Sequence, residues 1–184
     1  MEQARASRRR ALRDEVVAGL APGEALVWAG YPDAGATLRK MRFLFWIGLP
    51  IMAAAAVAAC FNAAGQVGLL VGAALTAGPF VNAWRAVNTV YVLTDRRAIV
   101  LCRLMGSVDQ SNVALDCADA EPEILRGEGD VGTVLFVSGL PPRRRHTDYQ
   151  GKFGFWNVPN ADEVARIVQR AVEGRCNARQ TLRP

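Results

Sequence analysis

The chain is poor in the residues from which catalytic and metal centres are commonly built. It has one histidine, His146, and four cysteines, Cys60, Cys102, Cys117 and Cys176, none in a C-x-x-C pair. A zinc site needs clustered ligands that this pattern lacks, so no metal or cofactor is expected. His146 has no serine or cysteine partner in a recognisable motif, and a hydrolase reading has no support. The thiols are read as reduced and mostly structural, in keeping with a cytosol-facing domain. Lysine is nearly absent, with only Lys40 and Lys152, so the net charge of +5 is carried by arginine. The largest gap is in charge itself. Between Arg42 and Arg85 there is no Asp, Glu, Lys or Arg.

That gap is the dominant feature of the sequence. It reads FLFWIGLPIMAAAAVAACF, NAAGQ, VGLLVGAALTAGPFVNAW, two apolar stretches joined by a short polar loop. Each approaches the roughly 20 residues needed to cross a bilayer. The expectation is a transmembrane helical hairpin over 43–84. A soluble chain of 19.9 kDa has too little other surface to bury two such helices on every face. The apolar stretch starts some way into the chain and lacks a clear cleavage region, so no secretory signal is expected. Arg39, Lys40 and Arg42 precede the first span, Arg85 follows the second, and the loop between has no cation. The positive-inside rule then places both termini in the cytoplasm, with Trp46 and Trp84 at the same interface. Small residues recur at four-residue spacing, Ala54 with Ala58 and Gly68 with Gly72, which suits close helix packing in lipid. Chance pairing in an Ala-rich stretch is the alternative.

The flanking segments follow two other periods. In 1–22, Leu12, Val16 and Val17 recur at helical spacing, followed by Leu20, with Arg5, Arg8, Arg9, Arg10 and Arg13 around them. This reads either as a basic helix lying on an anionic membrane surface or as a solvated tail. Ala25–Ala29, between Pro22 and Pro32, reads as a strand within 23–42. It can pair only with strands beyond the apolar hairpin, so the soluble domain is interrupted by it. After Trp84 the pattern turns to period two. Strands are expected at Asn88–Leu93, Ala98–Arg103, Val108–Leu115, Ala120–Arg126, Val131–Ser138 and Lys152–Trp156. Asn160–Gly174 closes the domain as a helix, with Asn160 and Glu163 spaced as a capping box and Gly174 as its stop. Residues 175–184 read as a frayed tail.

The order of strand, hairpin, antiparallel strands and helix resembles bacterial membrane proteins that carry a pleckstrin-homology-like (PH-like) domain. The residues that carry the likeness are GEALVWAGYP, NTVYVLTDRRAIVLCR, GDVGTVLF and NADEVARIVQRAV. The resemblance implies an α+β membrane protein: a two-helix transmembrane hairpin inserted after the first strand of a PH-like antiparallel β-barrel, which a C-terminal helix closes. It also implies a bacterial inner-membrane location and a scaffold or binding role, not an enzyme. The phosphoinositide-binding loop of eukaryotic relatives has no counterpart, because the hairpin occupies its place.

The candidate binding residues are Arg143, Arg144, Arg145 and His146 in a long loop, and Arg8, Arg9 and Arg10 near the N-terminus. Both clusters suit anionic lipid headgroups or an acidic protein face, and either is equally a solvated run of charge. Nucleic acid is not expected, although Tyr149, Phe153, Phe155 and Trp156 lie near the arginines, because alternation of Phe153 and Phe155 suits a core-facing strand. The carboxylates Asp116, Asp119, Glu121, Glu123, Glu128 and Asp130 have no fixed ligand spacing and read as solvated. The expected function is a non-catalytic scaffold or assembly factor that binds another membrane protein or its own copy. Anionic-lipid sensing is the alternative, and a membrane enzyme ranks last.

Overall fold

The computed structural model describes residues 2–104, 106–119, 121–141, 147 and 150–181. The elements in order are α1 (Glu2–Ala18), β1 (Leu26–Gly30), α2 (Ala34–Ala59), α3 (Ala63–Val87), β2 (Thr89–Thr94), β3 (Arg97–Leu104) and β4 (Ser107–Ala114). A 3-10 turn, Leu115–Cys117, leads to β5 (Glu123–Arg126), β6 (Val131–Val137), β7 (Phe153–Pro159) and α4 (Ala161–Thr181). The chain divides into two compact units, one of residues 1–33 with 87–184 and one of residues 34–86.

In the first unit every strand expected from sequence is present, within a few residues of its expected bounds. The ladders are antiparallel. One sheet has the order β1-β2-β3-β4, and a second has the order β5-β6-β7. Gly30 pairs with Tyr91 and Leu26 with Thr94, so β1 joins the strand that follows the apolar hairpin. The closed barrel expected from sequence is not found: the seven strands form two sheets, and among the described residues no ladder joins them. The break falls after β4, where the chain leaves the sheet through the 3-10 turn. There the Leu115 N–H donates to the Arg96 carbonyl, and the Asp119 N–H to the Phe136 carbonyl.

β2 is buried along its whole length because both faces of its sheet are covered. Tyr91, Leu93, Ala98 and Val100 face a core shared with Phe136, Phe153, Phe155 and Val158, and with Val164, Val168 and Val172 of α4. Val90, Val92, Ile99 and Leu101 face the other way, onto Leu12 and Val16 of α1. Strand runs that are apolar on both faces are what such double coverage demands. Phe155 is central to the main core, with ring centroids 5.0 Å from Tyr91, 5.0 Å from Phe136 and 5.4 Å from Trp28. The Tyr91 hydroxyl donates to the Trp156 carbonyl at 3.2 Å and ties the two sheets together. Burial, which outweighs that bond, raises the Tyr91 phenol far above its ordinary pKa.

Two helix ends differ from expectation. Asn160 adopts φ 53°, which a short polar side chain tolerates. Its carbonyl accepts the Glu163 and Val164 N–H groups and so starts α4. α4 does not stop at Gly174 but continues to Thr181, so residues 175–181 are helical where a frayed tail was expected. The Arg175 guanidinium reaches Asp116 at 3.1 Å and anchors the extension on the 3-10 turn.

In the second unit, α2 starts at Ala34, before the uncharged stretch, and carries Arg39, Lys40 and Arg42 in its first turns. Both helices are long and apolar enough to cross a membrane. Pro50 and Pro79 lie inside them. The Asn62 side chain accepts the Gly65 N–H at 2.9 Å and caps α3.

Two substitutions test this account. Phe155→Ala empties the centre of the main core and should destabilise the domain by about 3–5 kcal/mol. Gly174→Ala should stabilise it by roughly 0.5–1 kcal/mol, because the glycine lies within a helix and an added Cβ meets nothing within 4 Å. Thermal melting of the detergent-solubilised chain reads both.

Candidate functional site

The basic loop and its surroundings come first. Arg143, Arg144, Arg145 and His146 lie outside the described residues. The base of their loop is described. The Leu140 N–H donates to the Gly151 carbonyl at 3.1 Å, and Thr147 bridges to Phe153. Gly151 has φ +77°, and a Cβ there would strike the Leu140 carbonyl, so glycine is required for this closure. Phe153 and Phe155 beyond the loop are fully buried in the core.

The N-terminal arginines belong to α1, and α1 is not a free tail. Arg9, Leu12 and Val16 recur at i, i+3 and i+7 and so share one helix face. Leu12 is 1% exposed and Val16 5%, both against the sheet. Val17, expected on the same face, is turned outward. The apolar face that a membrane-lying helix would insert is therefore occupied by Val90, Val92, Ile99 and Leu101. The Arg9 guanidinium sits 5.0 Å from the Tyr31 ring centroid, and the Tyr31 hydroxyl donates to the Arg9 carbonyl at 3.0 Å. Glu15 pairs with Arg103 at 2.8 Å. Arg10 is exposed, and Arg8 lies in the same helix.

In the hairpin, Gly68 and Gly72 pack within the unit. A Cβ on Gly72 would lie 2.7 Å from the Met52 nitrogen, and one on Gly68 2.8 Å from the Ala55 Cβ. Ala58 flanks Gly65, where the helix backbones meet closely. Ala54 is exposed, and its neighbour Ala55 takes the buried position. The small residues thus bring α2 and α3 together, leaving Ala54 on the outer surface.

The acidic residues do not converge. Asp116 pairs with Arg175, Glu123 with Lys152, and Asp119 accepts the Ser138 hydroxyl at 3.0 Å. Among the described residues no three His, Cys, Asp or Glu side chains are grouped to hold a metal ion. An open cleft of about 510 Å³ lies between the β5–β6 turn and the first turn of α4. Its arginines, Arg126 and Arg166, stand among Asp130, Asp162 and Glu163, and Arg126 pairs with Asp162 at 3.3 Å. Charges of both signs on one rim leave it no marked preference for an anion.

Sequence reasoning missed one cluster altogether. Glu24 precedes β1, and its side chain is 1% exposed. Arg97 clasps it with Nε at 2.9 Å from Oε1 and a second nitrogen at 2.9 Å from Oε2. The Thr94 hydroxyl donates to Oε1 at 2.7 Å, and the Ala21 N–H to Oε2 at 3.0 Å. Asp95 exchanges two bonds with the Ala25 backbone, and Arg96 reaches the Gly23 carbonyl. The TDRR turn is therefore a clasp that fixes the entry of β1 to the β2–β3 hairpin. The available signal was a lone glutamate before a strand and a turn with two arginines. Nothing in the sequence joins them across the intervening hairpin.

No family model, curated protein or solved structure matches the chain.

The clasp makes a pH prediction. Burial alone would raise the Glu24 pKa, but Arg97, the Ala21 N–H and Thr94 outweigh it and hold the carboxyl at about 2, below its ordinary 4.5. A depressed folded-state pKa contributes stability that is present above pH 4.5 and lost as pH falls from 4.5 toward 2. Arg97 stays partly in solvent, so the contribution is about 2 kcal/mol. Glu24→Gln should lose that amount at pH 7 and flatten the stability profile across this acid range, read by melting at stepped pH.

Proposed function

We propose that the chain is a membrane-anchored, non-catalytic scaffold or assembly factor that binds another membrane protein. In this reading the hairpin over 43–84 crosses a bacterial inner membrane with both termini cytoplasmic, and the first unit is a PH-like domain. The carrying observation is the surface of the second unit. Phe61 is 82% exposed, Leu70 74% and Trp46 67%, on two helices that touch each other through glycines and Ala55. Water does not tolerate such a surface, and lipid does.

The polar groups inside the helices support the same reading. The Thr76 hydroxyl donates to the Gly72 carbonyl at 2.8 Å, and the Asn82 amide to the Gly78 carbonyl at 2.9 Å. Each is satisfied one turn back, as a lipid-facing helix requires. The cations at Arg39, Lys40, Arg42 and Arg85, with an uncharged loop opposite, favour cytoplasmic termini. Seven strands and a C-terminal helix seated on their core support the PH-like assignment. The dispersed and partnered carboxylates favour binding over catalysis. Self-association through the outer helix surface is the second form of the same role.

Crosslinked affinity purification of the intact protein from native membranes, identified by mass spectrometry, tests this function. One dominant membrane-protein partner, crosslinked to the hairpin or the folded domain, is the expected outcome. Exposed Ala54 gives a control: Ala54→Trp should weaken a hairpin-mediated partner without disturbing the Gly72 contact. Recovery of neither a partner nor self-copies would overturn the scaffold reading.

A further inference from the structure

The outer face of the first sheet is apolar, and α1 covers it. Val90 and Val92 of β2 and Ile99 and Leu101 of β3 point to this face and are at most 4% exposed. Arg103 follows Ile99 and Leu101 at the same period, so it stands on the same face at the end of β3. α1 buries Leu12 and Val16 on this face and sets Glu15 on Arg103 at 2.8 Å. Both side chains of that ion pair are exposed, so water weakens it.

α1 is poorly suited to hold itself as a helix. Arg5, Arg9 and Arg13 are spaced i, i+4 and i+8, so like charges follow one another along one line. The arginines also crowd the first half, where the macrodipole disfavours cations. Its 17 residues are marginal as a helix away from the sheet. α4 has the opposite design, with Asp162 and Glu163 in its first turn and Val164, Val168 and Val172 buried. α1 also has a defined place to come away. Glu24 accepts the Ala21 N–H, and β1 follows in its ladder, so the chain from Ala21 onward stays fixed when the helix leaves at Gly19 and Leu20. The core on the other face of β2 and β3 contains no residue of α1.

We infer that α1 is a displaceable cover, and that the β2–β3 face beneath it docks an amphipathic helix supplied by the partner protein. The inference deepens the scaffold reading above and rests on it for the source of that helix. The occupant is defined by what α1 offers this face: two apolar side chains four residues apart, with a carboxylate one residue before the second to meet Arg103. A partner helix that carries those groups without the line of arginines keeps these contacts and sheds the self-repulsion, so it displaces α1. The partner's apparent affinity is then lowered in proportion to the fraction of chains in which α1 is released.

The experiment measures capture of two fluorescent peptides by the detergent-solubilised full-length chain. One has the sequence of residues 2–18, and the other has Arg5→Glu/Arg13→Glu in it. The second should bind more tightly, because its helix is freed of the arginine line. Leu12→Ala/Val16→Ala in the chain loosens the cover and should strengthen capture of that peptide on the order of 10-fold. Glu15→Arg in the peptide should reverse that gain, and adding Arg103→Glu to the loosened chain should restore it, which general apolar adhesion would not do. Hydrogen exchange of α4 shows that the loosened chain is folded; where it is not, Glu15→Arg in the chain, which breaks an exposed pair, loosens the cover in its place. Equal capture by the wild-type and loosened chains, capture by neither, or capture indifferent to the Glu15 and Arg103 exchange overturns the inference alone. A loosened chain that pairs with its own copies and excludes the peptide also overturns it, because the face then takes a second copy. Peptide capture as expected, with no partner crosslinked in native membranes, overturns the scaffold reading, and the partner as source of the helix with it.

Discussion

The pairing of β1 with β2 is the constraint on which the rest of the fold depends. The two strands lie on either side of the apolar hairpin in sequence, yet Gly30 and Tyr91 are ladder partners. The ladder brings the chain back to the place it left. An insertion whose ends are already adjacent adds little closure entropy, since each doubling of loop length costs only about 0.6 kcal/mol. The inserted hairpin packs on itself through Gly68 and Gly72. The Glu24–Arg97 clasp holds the far end of the same ladder, where Leu26 meets Thr94. It adds a charged anchor to the ladder bonds and to the packing of Trp28 on Phe155 that hold this five-residue edge strand.

Coverage of the sheet follows from that pairing. β2 and β3 carry apolar residues on both faces, so one helix cannot complete the domain. The face bearing Tyr91 and Val100 takes the second sheet and α4, and the face bearing Val90 and Ile99 takes α1. The second contact is the lesser one, with Leu12 and Val16 as its buried side chains. At about 1.5–3 kcal/mol for full burial of each, their gross contribution is a few kcal/mol, before the entropy of ordering the helix is subtracted.

How much of this was legible depended on whether the deciding partner was local in sequence. The hairpin was legible because absence of charge over so long a stretch is itself the signal. The strands were legible because β-branched and aromatic residues cluster in short runs such as Asn88–Leu93, separated by turn residues. Asn160 marked the start of α4, but Gly174 did not mark its end. The helix extends because Arg175 finds Asp116, a contact invisible at sequence level. The seven strands were visible, whereas their division into two sheets was set by the turn after β4. Glu24 looked like any surface acid, because its clasp lies beyond the hairpin. The long loop at Arg143–His146 was visible as a charge cluster, and its base was closed by Gly151, a residue with no charge to draw notice.

α1 is the case in which sequence could not decide in principle. Leu12 and Val16 make an apolar stripe, and such a stripe is equally satisfied by a bilayer and by a sheet. The answer lay in residues more than seventy positions away, whose second face also needed cover. Once the sheet has taken the stripe, the arginines cannot act as the rim of an inserted helix, because the apolar residues that would carry them into the interface are already buried. Arg9 instead serves the docking of the helix itself. Arg9 rests on Tyr31, and Tyr31 is covalently three residues from Ala34. A residue that read as a membrane contact is thereby part of the packing of α1 within the first unit.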